Sequence, residues 1–228
     1  MDIIERVRRL FSDIDAAARA AGRTGSDIAL VAASKTNPPE RVREAILAGI
    51  RHVGENRVQE LTEKNAALAY EGARLHFIGH LQKNKVQKVV GIASLIQSAD
   101  SAELIRAIAA QAARLGITQD VLLEVNIGAE ATKHGFSKDE LPPVLEEVGV
   151  LEGVCVRGLM TIPPISEKMG GNRIHFAAMR ELFVDISTKK YDNVSMDWLS
   201  MGMSGDFTDA ILEGANMVRV GTAIFGAR

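Results

Sequence analysis

Short, β-branched, apolar runs alternate with longer stretches of helical periodicity along the whole chain. The runs lie at 28–33 (IALVAA), 51–54 (RHVG), 75–78 (LHFI), 94–98 (SLIQS), 121–126 (VLLEVN), 154–160 (VCVRGLM), 195–200 (SMDWLS) and 217–220 (MVRV). Such brief, nearly continuous apolar segments predict parallel strands covered on both faces. Helix starts fall between them. Asn37, Pro38 and Glu40 stand as cap, first-turn proline and acidic third residue. Asp100-x-x-Glu103 and Ser137-x-x-Glu140 also read as helix N-termini, the second as a capping box. Ile3, Val7, Leu10, Ile14 and Ala18 share one face of an opening helix that Gly22 ends.

Eightfold strand–helix alternation predicts an α/β protein of the (β/α)8 TIM-barrel class, one domain over residues 1–228. The chain runs only a few residues past the eighth strand, so the N-terminal helix is expected to fill the vacant place in the outer ring. A doubly wound open sheet would usually carry G-x-G-x-x-G after its first strand. That turn here reads Ala33-Ser34-Lys35-Thr36-Asn37, without glycine.

Composition narrows the function classes. Lys and Arg number 27 against 29 Asp and Glu, a formal net charge of −2, so no global field would draw nucleic acid or an anionic membrane. No apolar run approaches the roughly 18–20 residues that span a bilayer. The first residues, Met1-Asp2-Ile3-Ile4-Glu5-Arg6, do not read as a signal peptide. The single cysteine, Cys155, excludes an internal disulfide and a Cys-built metal cage, and its apolar strand predicts a small core residue. The expectation is a soluble, cytoplasmic protein.

In a barrel of this class the chemistry gathers at the carboxyl ends of the strands. That rule selects Lys35, Glu55, Asn56, Gly79, His80, Asn126, Met160, the run Met201-Gly202-Met203-Ser204-Gly205-Asp206, and Arg219-Val220-Gly221-Thr222. Phosphate sites in this fold often form after strands seven and eight. Ser204-Gly205, before a helix expected at 206–214, and Gly221-Thr222 supply close backbone approach and hydroxyl groups for one. Lys35 follows an apolar strand and has no acidic neighbour in sequence, a setting in which an amine can turn nucleophilic toward an aldehyde. A lysine and a phosphate cup on one barrel mouth point to a phosphorylated carbonyl compound, either pyridoxal phosphate or the sugar phosphate of a lysine-dependent aldolase.

Other residues weigh less. His76 and His80 are four apart but straddle a strand end, and His52, His134 and His175 are scattered, so no metal site is expected. Lys83-Asn84-Lys85-Val86-Gln87-Lys88 is basic without an aromatic residue and reads as a solvated helix face. Tyr70 and Tyr191 fall in or beside outer-ring helices, away from strand ends.

At these residues the sequence closely resembles the pyridoxal phosphate homeostasis protein family, whose fold is similar to the N-terminal barrel domain of alanine racemase. The resemblance rests on Ala33-Ser34-Lys35-Thr36, Gly54-Glu55-Asn56, Val58-Gln59-Glu60, His76 to Gln82 (HFIGHLQ), Lys133-x-Gly135-Phe136, Arg157 to Met160 (RGLM), Ser200 to Ser204 (SMGMS) and Arg219 to Gly226 (RVGTAIFG), in order. It implies that Lys35 carries pyridoxal 5'-phosphate as an internal aldimine. It also implies that Ser204, Gly221 and Thr222 form the phosphate cup and that Arg219 approaches the pyridine nitrogen. Asn56, His80 and Met201 would line the pocket. An arginine at that nitrogen should keep it unprotonated and weaken the electron sink that carbanion chemistry needs. The implied function is to hold and release the cofactor without significant catalysis, for apo pyridoxal phosphate enzymes as recipients, by a monomer or a weak dimer. The competing reading, an amino-acid racemase of the alanine racemase type, requires a second base opposite Lys35. The loop at 166–173 and the end at Arg228 match no motif.

Overall fold

In the computed structural model eight parallel strands pair in chain order and β8 returns to β1, closing a barrel. The structure describes residues 2–130, 133–164, 168 and 170–226. Positions 166, 167 and 169 of the 166–173 loop, and Arg228, lie outside the described residues. The strands are β1 (Ala29–Ala33), β2 (His52–Glu55), β3 (Arg74–Phe77), β4 (Leu95–Ala99), β5 (Gln119–Glu124), β6 (Val154–Met160), β7 (Val194–Ser200) and β8 (Met217–Val220). All eight fall where the apolar runs predict them. The outer layer comprises α1 (Ile3–Ala20), α2 (Pro39–Leu47), α3 (Val58–Ala66), α4 (Ala102–Arg114), α5 (Leu141–Gly149), α6 (Arg173–Ser187), α7 (Phe207–Leu212) and α8 (Thr222–Phe225).

The opening helix does what its periodicity implies. α1 buries Ile3, Val7, Leu10, Ile14, Ala17 and Ala18, and begins with a capping box in which Asp2 Oδ1 accepts the Glu5 amide at 2.7 Å. Because α8 is only four residues long, α1 takes the eighth place in the ring, against α2, α7 and α8. Arg23, just past its end, donates to the Ala215 carbonyl at 2.8 Å and ties α1 to the turn before β8.

The predicted helix starts slip by small, explicable amounts. α2 is capped at Pro38, and Asn37 instead donates through Nδ2 to the Ser34 carbonyl at 2.8 Å. Ser101 caps α4 by accepting the Leu104 amide at 3.3 Å, leaving Asp100 for another partner. Ser137 does bond Glu140, but in the turn before α5, which starts at Leu141. Pro142 and Pro143 lack amide hydrogens, so they fit the first helical turn, where no donor is needed. Residues Lys83–Lys88 form a 3-10 helix whose Lys83, Asn84, Gln87 and Lys88 are exposed, the solvated face expected, while Val86 is buried beneath it.

Two apolar layers result. Val31, Ala33, Ile78, Leu95, Leu122, Met160 and Met217 fill the barrel, and a larger cluster fills the space between barrel and helices. Cys155 on β6 is half-buried, not a core residue as expected, because that position of the strand alternates away from the packed face. Among the described residues no helix is long and apolar enough to cross a membrane.

Candidate functional site

The carboxyl ends of β1, β2 and β8 surround a cavity of about 500 Å³ at the barrel mouth. Six of the eight sequence-predicted positions line it: Lys35, Asn56, Ser204, Arg219, Gly221 and Thr222. Arg41 and Phe225 also line it, and no strand-end rule selects them. Arg41 sits in the first turns of α2, donates to the Phe225 carbonyl at 2.5 Å and lies over the Phe225 ring at 6.0 Å. Its place just after the β1 loop is the only sequence signal that could have found it.

Lys35 is exposed and holds a left-handed backbone, φ +40, which a non-glycine residue adopts at a cost of roughly 1–2 kcal/mol. A buried polar cluster underneath sets that conformation. Lys64 Nζ donates to the Lys35 carbonyl and, at 2.7 Å, to Glu55 Oε1. Ser34 Oγ donates to the same carboxylate, as does the Tyr70 hydroxyl at 3.0 Å. Burial pushes the Glu55 carboxyl above the ordinary range while Lys64 and the two hydroxyls pull it back. Tyr70 therefore departs from expectation. It starts in the outer ring, but its hydroxyl reaches the end of β2, and burial beside Glu55 holds it protonated.

Across the cavity, Ser204 Oγ accepts the Gly221 amide at 3.3 Å and the Thr222 hydroxyl at 3.1 Å. Gly221 lies tight on β1: a Cβ there would stand 3.1 Å from the Ala33 carbonyl oxygen. Asp206 fixes the preceding loop, accepting from the Met203 amide at 2.7 Å and Asn172 Nδ2 at 2.8 Å. These bonds hold two hydroxyls and a close backbone at one end of the cavity.

Arg219 forms the floor. It is 4% exposed, and its guanidinium donates to Ser200 Oγ at 2.5 Å and the Thr161 carbonyl at 2.8 Å. Burial lowers its pKa to about 10, against the pull of Glu124 and Asp206, so it keeps its charge at neutral pH. Glu124, at the end of β5, is raised to about 7 by burial first and the Asp100 charge second. Behind Arg219 a polar chain crosses the barrel interior. Ser200 Oγ donates to Gln97 Oε1 at 2.7 Å, Gln97 Nε2 donates to His76 Nδ1 at 2.8 Å, and His76 Nε2 lies 3.1 Å from His52 Nδ1.

Two predicted positions lie elsewhere. Met201 is fully buried between barrel and helices and does not reach the cavity. Ser200 points into the barrel, so its neighbour must point outward. His80 lines an adjoining cavity of about 570 Å³ that shares Asn56 with the first. Gly79 packs tightly on that residue: a Cβ there would fall 2.2 Å from the Asn56 carbonyl oxygen. Asn56 Oδ1 is buried and has no hydrogen-bond partner. The histidines are not all scattered either: the rings of His80 and His134 stack at 3.9 Å beside Asp100.

A family model described as alanine racemase, N-terminal domain, matches residues 12–228. The pyridoxal phosphate homeostasis protein of Aquifex aeolicus (strain VF5) is 44% identical over 228 residues, covering 100% of this chain and 99% of that protein. This chain belongs to the pyridoxal phosphate homeostasis protein family. Among solved structures, PipY of Synechococcus elongatus PCC7942, with pyridoxal phosphate bound, is similar at TM-score 0.86 and 34% identity. That likeness covers 99% of this chain and 100% of PipY. The alanine racemase of Clostridium difficile 630 shares the fold alone, at TM-score 0.77 and 16% identity, over 98% of this chain and 57% of that enzyme. The homeostasis-family resemblance and the alanine racemase-like barrel both stand.

Proposed function

We propose that this member of the pyridoxal phosphate homeostasis family binds pyridoxal 5'-phosphate in the mouth cavity and releases it without turning over a substrate. The residues present suit that molecule. About 500 Å³ is within the range of small-ligand pockets. When bound, the cofactor would supply an aldehyde, a basic ring nitrogen and a phosphate dianion. Lys35 would hold the aldehyde carbon covalently, its backbone pinned by Lys64. Ser204, Gly221 and Thr222 would receive the phosphate, and Arg219 would donate to the ring nitrogen. Asn56 Oδ1 is an unmatched acceptor on the same wall.

One observation carries the choice of carrier over racemase. Among the described residues lining the cavity there is no Asp, Glu, His, Cys or Tyr to serve beside Lys35 as a second base. Two-faced proton exchange needs a second such group. Arg219, charged and buried, also favours an unprotonated ring nitrogen, which raises the barrier to a carbanion. An open cavity suits exchange with solution and with apo enzymes that need the cofactor. The reading extends to a cytoplasmic monomer.

Purified protein treated with borohydride should carry a pyridoxyl group on the Lys35 peptide. Lys35→Ala should lose the visible absorbance of bound cofactor. The loaded protein should pass its cofactor to an apo pyridoxal phosphate enzyme while showing negligible activity on L- and D-amino acids. Turnover near 1 s⁻¹, ordinary for enzymes, abolished by Lys35→Ala, would establish the racemase instead.

A further inference from the structure

Beside the mouth cavity, His80, Asp100 and His134 converge. His80 follows β3, Asp100 follows β4, and His134 lies in the loop after β5, so three separate crossovers bring them together. His80 Nδ1 is 2.9 Å from Asp100 Oδ2, and His134 Nδ1 is 3.7 Å from the same oxygen. One ligand atom from each residue lies within 4.8 Å of the others. The Asp100 side chain is 8% exposed, and among the described residues its only ion-pair partners are these two imidazoles.

A simple histidine–aspartate pair would need one imidazole. Here a second ring stacks on the first at 3.9 Å and 13°, with its own Nδ1 turned toward the same carboxylate. A divalent cation placed between them would take one lone pair from each imidazole and one from the carboxylate, three donors that already converge from separate loops. Donors around an ion at roughly 2.0–2.2 Å stand about 3–3.5 Å apart, which small side-chain rotations would reach.

We propose that His80, Asp100 and His134 form a binding site for a divalent transition metal of the zinc class. Two imidazoles and one carboxylate select such an ion over magnesium or calcium, which prefer all-oxygen sets. Three protein ligands would leave one position of a four-coordinate ion to water, which the 43% and 59% exposed imidazole side chains admit. The site would also brace the cavity rim, because Lys133, next to His134, donates to the Pro163 carbonyl at 3.0 Å and Ile162 lines the mouth cavity. This inference stands independently of the cofactor reading.

The test uses the full chain without a histidine tag, stripped with a chelator and titrated with Zn²⁺ against a chromophoric indicator. Co²⁺ serves as a spectroscopic probe. One ion per chain is expected, with a cobalt d–d band and no competition from Mg²⁺. His134→Ala, an exposed change that spares the barrel, should weaken uptake by at least about tenfold. Asp100→Asn should do the same, while His175→Ala on α6 should bind like the wild type. Uptake by His134→Ala equal to wild type, or no saturable uptake by the wild type, would overturn the proposal.

Discussion

Arg219 and Ser200 meet inside the barrel, the guanidinium donating to the seryl oxygen across 2.5 Å. That hydroxyl donates onward to Gln97 at 2.7 Å, so a single small residue couples the cation on the cavity floor to the polar chain through the core. Ser200→Ala removes one of two acceptors of a buried charge. The expected loss is about 1.5–3 kcal/mol of folding stability, read from urea midpoints. Cofactor affinity should fall as well, because Arg219 loses its fixed orientation. A midpoint unchanged from wild type would show that Arg219 finds another acceptor.

The cup should discriminate by phosphate. Pyridoxal, which has the aldehyde and ring but no phosphate, is expected to bind much more weakly than pyridoxal phosphate. Ser204→Ala removes the hydroxyl that organises Gly221 and Thr222. Losing a bond to a charged oxygen costs about 1.5–3 kcal/mol, roughly ten- to a hundredfold in affinity. Equal dissociation constants for Ser204→Ala and wild type, measured by absorbance titration, would remove Ser204 from the cup.

The strands and half the site are legible in the chain because both follow local rules. A buried parallel strand is an apolar run, and a barrel places its chemistry where such runs end. Lys35, Asn56, Ser204, Arg219, Gly221 and Thr222 satisfy that rule and line one cavity. Met201 satisfies the rule and still faces the helices, because the rule fixes height along the barrel and not which side of the strand a residue takes. Tyr70 on Glu55, 15 residues apart, and His134 on His80 are products of tertiary packing that no local spacing encodes. Arg41 is hidden for a third reason: it reads as one more polar residue on an amphipathic helix.

Lys64 is the residue on which the Lys35 conformation rests. Its ammonium is buried, bonded to Glu55 and to the Lys35 carbonyl. Lys64→Met keeps the volume and leaves the Glu55 carboxylate buried with hydroxyl donors only. Breaking a buried ion pair from one side costs about 3–5 kcal/mol. The double variant with Glu55→Gln should recover part of that loss, since no unpaired charge remains. Chemical denaturation of both single variants and the double variant gives the coupling directly. Additive losses would mean that the pair contributes nothing beyond packing.

The polar chain also sets how the protein responds to acid. His76 is 2% exposed, and burial, with the charges of His52 and Arg74 adding, lowers its pKa from 6.5 to about 3. Gln97 donates to its Nδ1, an arrangement that requires the neutral ring. The sign follows from proton uptake. Below pH 6.5 the unfolded chain protonates this histidine while the folded chain does not, so stability is full above that value and declines as pH falls toward 3. The slope is about 1.4 kcal/mol per pH unit. Glu124 opposes it over part of the range. Its folded pKa of about 7 exceeds the ordinary 4.5, so its contribution is present at low pH and is lost as pH rises through 7. The wild-type curve alone would therefore mix slopes of opposite sign, His52 adding to that of His76 and Glu55 and Asp120 to that of Glu124. His76→Gln removes one of them and keeps a donor and an acceptor for the chain. Urea midpoints measured from pH 7.5 to 4 should show the wild type losing its margin over His76→Gln steadily below pH 6.5. Parallel curves would mean that His76 takes up its proton in the folded barrel as readily as in the unfolded chain, and that the chain behind Arg219 tolerates a charge.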